Sequence, residues 1–248
     1  MTEVPREADS APDLQARSLT NEDPSIVTVW SDIGCPWASL ALHTLRSRAK
    51  EREVDLLIDH RAFPLELFNS RPTPKAIIDV EVTAIAGLVP SMGWRLWSGR
   101  EAEYVVSTLP PMAAVQAAKS PLVGGLRASS ELDGALRHAF YVDGRCITVY
   151  SEILDVASTC ESVDVDRLRV ALESGAGYAE VFNHWHAAGS ASVQGSPHLF
   201  VRDRYAEHNP GVNYHWTGPP GRGFPRFERY DTAWVDELLA VLGRVGDR

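Results

Sequence analysis

The sequence predicts an α/β protein in which a block of helices separates two strand-bearing segments. Three observations carry that expectation. A short β-branched run, Ser25 to Trp30, leads through a tight loop and a helical run to a second strand, Val54 to Arg61; strand, helix, strand in this order implies a parallel pair. About a hundred residues of alanine-rich helical pattern follow the proline-rich break Arg71-Pro-Thr-Pro74. Strand character then returns at Val193 to Val201, and the chain closes on an amphipathic helix.

Each element has a local reason. Ile26, Val27, Thr28 and Val29 suit a buried strand. Leu40, Leu42 and Leu45, with neighbouring alanines, give a helical run to about Lys50. Pro36 fits its first turn, where its missing N–H would have had no partner. Further helices are expected from about Ile77 to Leu88, Pro110 to Ala118, Glu131 to Val142, Tyr150 to Ser158, Val165 to Glu173 and Gly177 to Ala188. Leu132, Ala135, Leu136, Ala139 and Phe140 have helical spacing. Asp203-Arg-Tyr-Ala is a candidate hairpin partner for the late strand. The stretch 207–227, rich in Gly, Pro and aromatics, is expected to be an ordered loop that covers a cleft or meets a second copy in a homodimer. Tyr230 to Leu242 places Val235, Leu238, Leu239 and Leu242 on one helical face.

Composition bounds the function. The 248 residues are 44% hydrophobic and 23% charged, enough for a core without disulfides or metals. The best apolar stretch, Ala84 to Trp97, is interrupted by Pro90 and Arg95 and is too short for a membrane span. A net charge of −9 argues against nucleic acid. Three cysteines are too few for a disulfide scaffold. The N-terminal stretch 1–23 is polar and acidic, without a basic or apolar leader, so a disordered tail and a cytoplasmic setting are expected. His184 and His186 lie two apart, on different helical faces, and no histidine spacing matches a zinc motif, so no metal is expected.

The chemistry centres on Asp32-Ile-Gly-Cys35-Pro-Trp-Ala38. Cys35 stands at a helix start, where free N–H groups and the helix dipole favour a thiolate. Such a thiolate attacks disulfides or electrophiles, or holds a small thiol as a mixed disulfide. The plain alternative is a small residue retained at a decayed site. Cys146 and Cys160 fall in the helical block, where free cysteines usually serve as small hydrophobes. Asp32 is assigned no catalytic role, and Ser39 faces the first helical turn.

The strand–Cys35-Pro-Trp-Ala38–helix segment resembles the active site of DsbA-like proteins of the thioredoxin superfamily. Gly195-Ser-Pro197 before a strand resembles their cis-proline loop, and the helical block resembles their insertion. The likeness is greatest to the FrnE-like branch, which borders kappa-class glutathione transferases and 2-hydroxychromene-2-carboxylate isomerases. It implies a thioredoxin-like fold with an inserted all-helical domain: 24–73 and 189–248 as the two halves, 74–188 as the insertion. It also implies a cis Ser196–Pro197 bond, with Ser196 offering backbone groups to an extended ligand and Pro197 packed opposite Cys35. Pro36, Trp37 and His198 would line the same cleft.

One departure matters. The family's dithiol motif has a second cysteine where this chain has Ala38, and kappa-class relatives carry serine where Cys35 stands. A mixed disulfide at Cys35 must therefore be resolved by an outside thiol or by a distant cysteine, for which Cys146 and Cys160 are the candidates on sequence alone. Three readings follow. The first is a cytosolic monothiol oxidoreductase that exchanges with a disulfide or a low-molecular-weight thiol such as glutathione, with no tightly bound cofactor. The second is a thiol-cofactor-dependent transferase or isomerase of kappa type. The third is a redox-inactive binding protein.

Overall fold

The central strand of the sheet is β1, Ile26–Ser31, buried along all six residues. Its β-branched residues explain why it can be covered on both faces. It runs parallel to β2, Leu57–Ala62, with Ile26 opposite Leu57 and Ser31 opposite Ala62. On its other side it pairs antiparallel with β3, His198–Val201, which sets Trp30 opposite His198. β4, Tyr205–His208, forms the edge, so the order is β2-β1-β3-β4. The computed structural model describes residues 19–189 and 193–243. Most of the expected tail, residues 1–18, lies outside these. Leu19 and Asn21, also expected to be tail, instead meet β1: Leu19 is buried and its carbonyl accepts from the Trp30 indole at 2.8 Å, and the Asn21 N–H donates to Thr28 Oγ1 at 2.8 Å.

Helix α1, Pro36–Glu51, joins β1 to β2, with Pro36 in its first turn. A one-turn helix α2, Leu65–Phe68, follows β2. The helical block then comprises α3 (Lys75–Leu88), α4 (Leu109–Ala118), α5 (Gly125–Tyr141), α6 (Tyr150–Ala157), α7 (Val165–Glu173) and α8 (Tyr178–Gly189). α5 starts more than a turn before the expected Glu131. Its first turns carry Ser129 and Ser130, which sequence patterning does not favour, and the buried hydroxyl of Ser129 donates to the Val115 carbonyl of α4 at 2.9 Å.

The expected loop 207–227 is corrected. It contains a second sheet, β5 (Val212–Trp216) paired antiparallel with β6 (Pro225–Tyr230). The last helix, α9, is Ala233–Gly243, not a helix from Tyr230, because Tyr230 is the final residue of β6 and pairs with Val212.

The packing is layered. Val27, Val29, Leu199 and Val201 face Leu42 and Leu45 of α1 and Val235 and Leu238 of α9. Trp30 and Phe200 point the other way, toward Leu19, Phe63 and Ala188. The helical block has its own large core, including Leu132, Leu136 and Ile153, yet that core takes in Ile33 and Ala62 from the ends of β1 and β2. The block is thus welded to the sheet at the end where Cys35 lies.

Candidate active site

The β1–α1 loop is held by backbone and buried polar groups. Asp32 is buried; its carboxylate accepts from the Gly34 N–H at 2.8 Å and the Leu65 N–H at 2.9 Å. Burial raises its pKa against those bonds and that of Thr108. These contacts shape the loop. Gly34 is required here: a Cβ would come within 2.8 Å of Thr108 Cγ2.

A second clamp comes from the helical block. Arg137, on α5 and buried, donates through Nη1 to the carbonyls of Asp32 (3.1 Å) and Ile33 (3.3 Å) and to Ser39 Oγ (2.8 Å). Its Nη2 donates to Ser31 Oγ at 2.9 Å, and its Nε–H to Asp133 at 3.0 Å. Desolvation of Arg137 is offset by that carboxylate, which the arginines in turn hold well below the usual range. Sequence reasoning missed Arg137. The signal was there, since Asp133 and Arg137 are one helical turn apart beside the apolar stripe Leu132, Leu136, Phe140.

Cys35 caps the start of α1. Its thiol donates to the Ser196 carbonyl at 3.2 Å, and the Asp32 N–H donates to Ser196 Oγ at 2.9 Å. The Ser196–Pro197 peptide bond is cis, and the Pro197 carbonyl accepts from the Asn209 N–H. Two segments 161 residues apart thus meet at the sulfur. Pro36 is buried in the first turn of α1. His198 is brought elsewhere. It is buried on β3, its Nδ1 accepts from the Gln194 N–H at 3.1 Å, and its ring meets Phe200 and His208. Burial and His208 lower its pKa to about 4.

Burial opposes the thiolate that the helix start favours. Only 4% of the Cys35 surface is exposed. It sits in an apolar cluster with Trp37, Leu40, Ile85 and Met92, flanked by Tyr214 and Phe227 of the β5–β6 hairpin. Burial first, then the Glu81 charge, push its thiol up to about 12, against lowering by Ser196 and the Ala38 N–H. The helix terminus acts in the foreseen direction, but desolvation is larger.

Trp37 is the hinge of this cover. Its indole stacks on Tyr214 at 4.0 Å between centroids and meets Phe227 edge-on at 5.6 Å. Its Nε1–H donates to Glu81 of α3 at 2.9 Å. Burial raises Glu81 to about 7, partly countered by the indole bond. Glu81 was not foreseen as part of the site, whereas Tyr214 belongs to the stretch 207–227 expected to cover a cleft or meet a second copy.

The other cysteines lie apart. Cys146 and Cys160 pack with the helical-block core, a cluster distinct from that of Cys35. A cleft lined by Asp32, Gly34, Tyr104, Thr108 and Phe140 lies between the block and the β1–α1 loop, but its enclosed volume is about 30 Å³, room for about one water.

The family model described as a DSBA-like thioredoxin domain matches residues 26–215. No curated protein matches the chain by sequence. Among solved structures, the cytosolic disulfide reductase DsbM from Pseudomonas aeruginosa is similar, with a TM-score of 0.58 at 16% identity over 89% of this chain and 97% of that one. DsbM has also been solved with GSH. A probable DsbA oxidoreductase from Streptomyces coelicolor has a TM-score of 0.59 at 16% identity, covering 90% of this chain and 91% of that one. A 2-hydroxychromene-2-carboxylate isomerase has a TM-score of 0.52 at 14% identity, covering 89% and 95%.

Proposed function

The chain belongs to the DsbA-like thioredoxin family, and on that premise we propose that it is a cytoplasmic monothiol oxidoreductase in which Cys35 exchanges with a small disulfide such as oxidised glutathione. The observation that carries this reading is the Cys35 thiol held 3.2 Å from the Ser196 carbonyl, on a cis-proline loop that can align an extended ligand beside the sulfur. The GSH-bound state of DsbM supports a small thiol as the partner. In this reading 24–73 and 189–248 are the two halves of the thioredoxin-like unit and 74–188 is its helical insertion.

The exchange balances without a further oxidant. The Cys35 sulfur attacks one sulfur of the disulfide and the S–S bond breaks. The departing thiolate takes up the proton that Cys35 gives up, leaving a mixed disulfide and one free small thiol. A second small thiol attacks the mixed disulfide, regenerates Cys35–SH and leaves as a new disulfide. Ala38 supplies no internal resolving thiol. Because burial holds Cys35 protonated, exchange requires the hairpin contacts of Trp37, Tyr214 and Phe227 to open first.

The test is turnover. Reduced glutathione and a labelled peptide disulfide should exchange faster with the protein than without it, and Cys35→Ser should abolish the difference. Equal rates for the two proteins would remove the reading. One observation favours a second reading, a thioredoxin-fold binding protein without redox chemistry: a thiol pushed up to about 12 is a poor nucleophile. That reading predicts no exchange even in variants with a weakened cover.

A further inference from the structure

A second cleft lies on the flank of α1, one turn beyond Cys35, where α1 faces α5. Its volume is about 220 Å³, room for about seven waters. Four of its lining side chains are arginine or histidine, namely His43 and Arg46 from α1 and Arg137 and His138 from α5, and among the described residues lining it none is acidic. In a chain of net charge −9 this concentration of basic groups is local and specific.

The donors are not all consumed internally. Asp133 lies beneath the cleft and accepts from both Arg46 (3.0 Å) and Arg137 (3.0 Å). One carboxylate thus faces two guanidinium groups. Arg46 donates to Asp133 and to the Ser130 carbonyl through Nη2, the atom that also meets His60 Nε2. Among the described residues all three contacts use Nη2, which leaves Nη1 and Nε available. Gly134 makes room for that end of the group, since a Cβ there would sit 3.3 Å from Arg46 Nη1. Among the described residues His43 makes no hydrogen bond, and burial with the nearby Arg46 charge lowers its pKa. His138 stands at the rim, 64% exposed, 3.8 Å from Asp143.

The remaining walls are apolar: Met92, Trp94 and Val142. Trp94 is fixed by stacking on Tyr141 at 4.4 Å. A guanidinium N–H donates charge-assisted hydrogen bonds to carboxylate and phosphate oxygens, and an indole wall suits a flat apolar body. The geometry points to a binding site between α1 and α5 for a small organic oxyanion, a carboxylate or phosphate carried on a compact apolar group. Arg46 and His43 meet the oxygens, and Trp94, Met92 and Val142 take the apolar part. The site adjoins the Cys35 cluster, with which it shares Met92, and Cys35 is not among its lining residues.

Calorimetric titration with phenyl phosphate and with benzoate at low ionic strength tests this, with benzyl alcohol as the uncharged control. Saturable one-to-one binding of either anion, and none of benzyl alcohol, is expected. Arg46→Met should weaken it by about tenfold, the loss of one charge-assisted hydrogen bond. His138→Glu places a carboxylate on the exposed rim without touching the buried network, so it should also weaken binding and decides the matter if Arg46→Met fails to fold. Cys35→Ser should bind as the parent does. The tighter of the two anions identifies phosphate or carboxylate as the preferred group. Absence of saturable binding by both, or unchanged affinity in His138→Glu, overturns the proposal.

Discussion

Replacing Tyr214 by alanine should make Cys35 reactive. Tyr214 stacks on Trp37 at 4.0 Å and helps exclude water from a thiol pushed up to about 12 from an ordinary 9.0. If the opened site returned the thiol to its ordinary value, the three-unit drop would correspond to about 4 kcal/mol less penalty on the thiolate. At pH 7 the thiolate fraction would rise by about a thousandfold. Intrinsic nucleophilicity falls with pKa at a Brønsted slope of about 0.4–0.5, which takes back about twentyfold to thirtyfold. The net ceiling is therefore about fiftyfold in rate, and partial opening gives less. Losing the stack itself costs about 0.5–1.5 kcal/mol beyond area burial. The assay is iodoacetamide alkylation followed by intact mass as a function of pH, with Cys35→Ser to subtract Cys146 and Cys160. The parent should show little Cys35 alkylation below pH 9, and Tyr214→Ala a titration midpoint shifted downward. An unchanged midpoint and rate in a folded Tyr214→Ala protein would refute the claim that the hairpin holds the thiol protonated.

Glu81 sets a second expectation. The folded state raises its pKa from 4.5 to about 7, so its contribution to stability is fully present below pH 4.5 and is lost as pH rises through 7. Glu81→Gln, which keeps an acceptor for the Trp37 indole, should flatten that decline and be more stable than the parent at pH 8 by up to about 3 kcal/mol; denaturant midpoints at pH 5 and pH 8 that move in parallel for the two proteins would contradict it. The same substitution removes the Glu81 charge from Cys35 and should lower the thiol midpoint in the alkylation assay. Arg137→Met should cost about 3–5 kcal/mol in urea unfolding, because it strips the β1–α1 loop carbonyls of their donor and unbalances the buried Asp133; a loss below about 1 kcal/mol would show that the clamp is dispensable. Ser196→Ala removes the 2.9 Å bond from Asp32 N–H but keeps the carbonyl that meets Cys35, so stability should fall by about 1 kcal/mol in the same unfolding measurement.

The halves of the fold differed in legibility for physical reasons. β1 and α1 announce themselves through a β-branched run, a proline at the first helical position and leucines at helical spacing, all local signals. β5 and β6 were read as loop because Pro219, Pro220, Gly221 and Gly223 dominate the composition between them. Yet Val212 to Trp216 alternates half-buried with exposed residues, a period-two pattern that the aromatic loop reading passed over. Only the family resemblance set Pro197 opposite Cys35, since nothing local links the two segments, and it is the neighbouring Ser196 carbonyl, 161 residues away in sequence, that accepts from the thiol. The burial of Cys35 was not legible at all. A helix N-terminus argues for a thiolate from local geometry, whereas the opposing desolvation comes from Ile85, Tyr214 and Phe227, which tertiary packing alone brings over the sulfur. Glu81 was missed for the same reason: on α3 it looks like one more helix-surface acid until the Trp37 indole reaches it.

We propose Cys35 as an exchange-competent thiol under a movable cover. Intact-mass measurement after incubation with oxidised glutathione, on the parent, Tyr214→Ala and Cys35→Ser, tests it most directly. The account predicts one glutathionyl group per chain, gained faster by Tyr214→Ala than by the parent and at no measurable rate at position 35 in Cys35→Ser. No adduct on either Cys35-containing protein, with both folded, would contradict it.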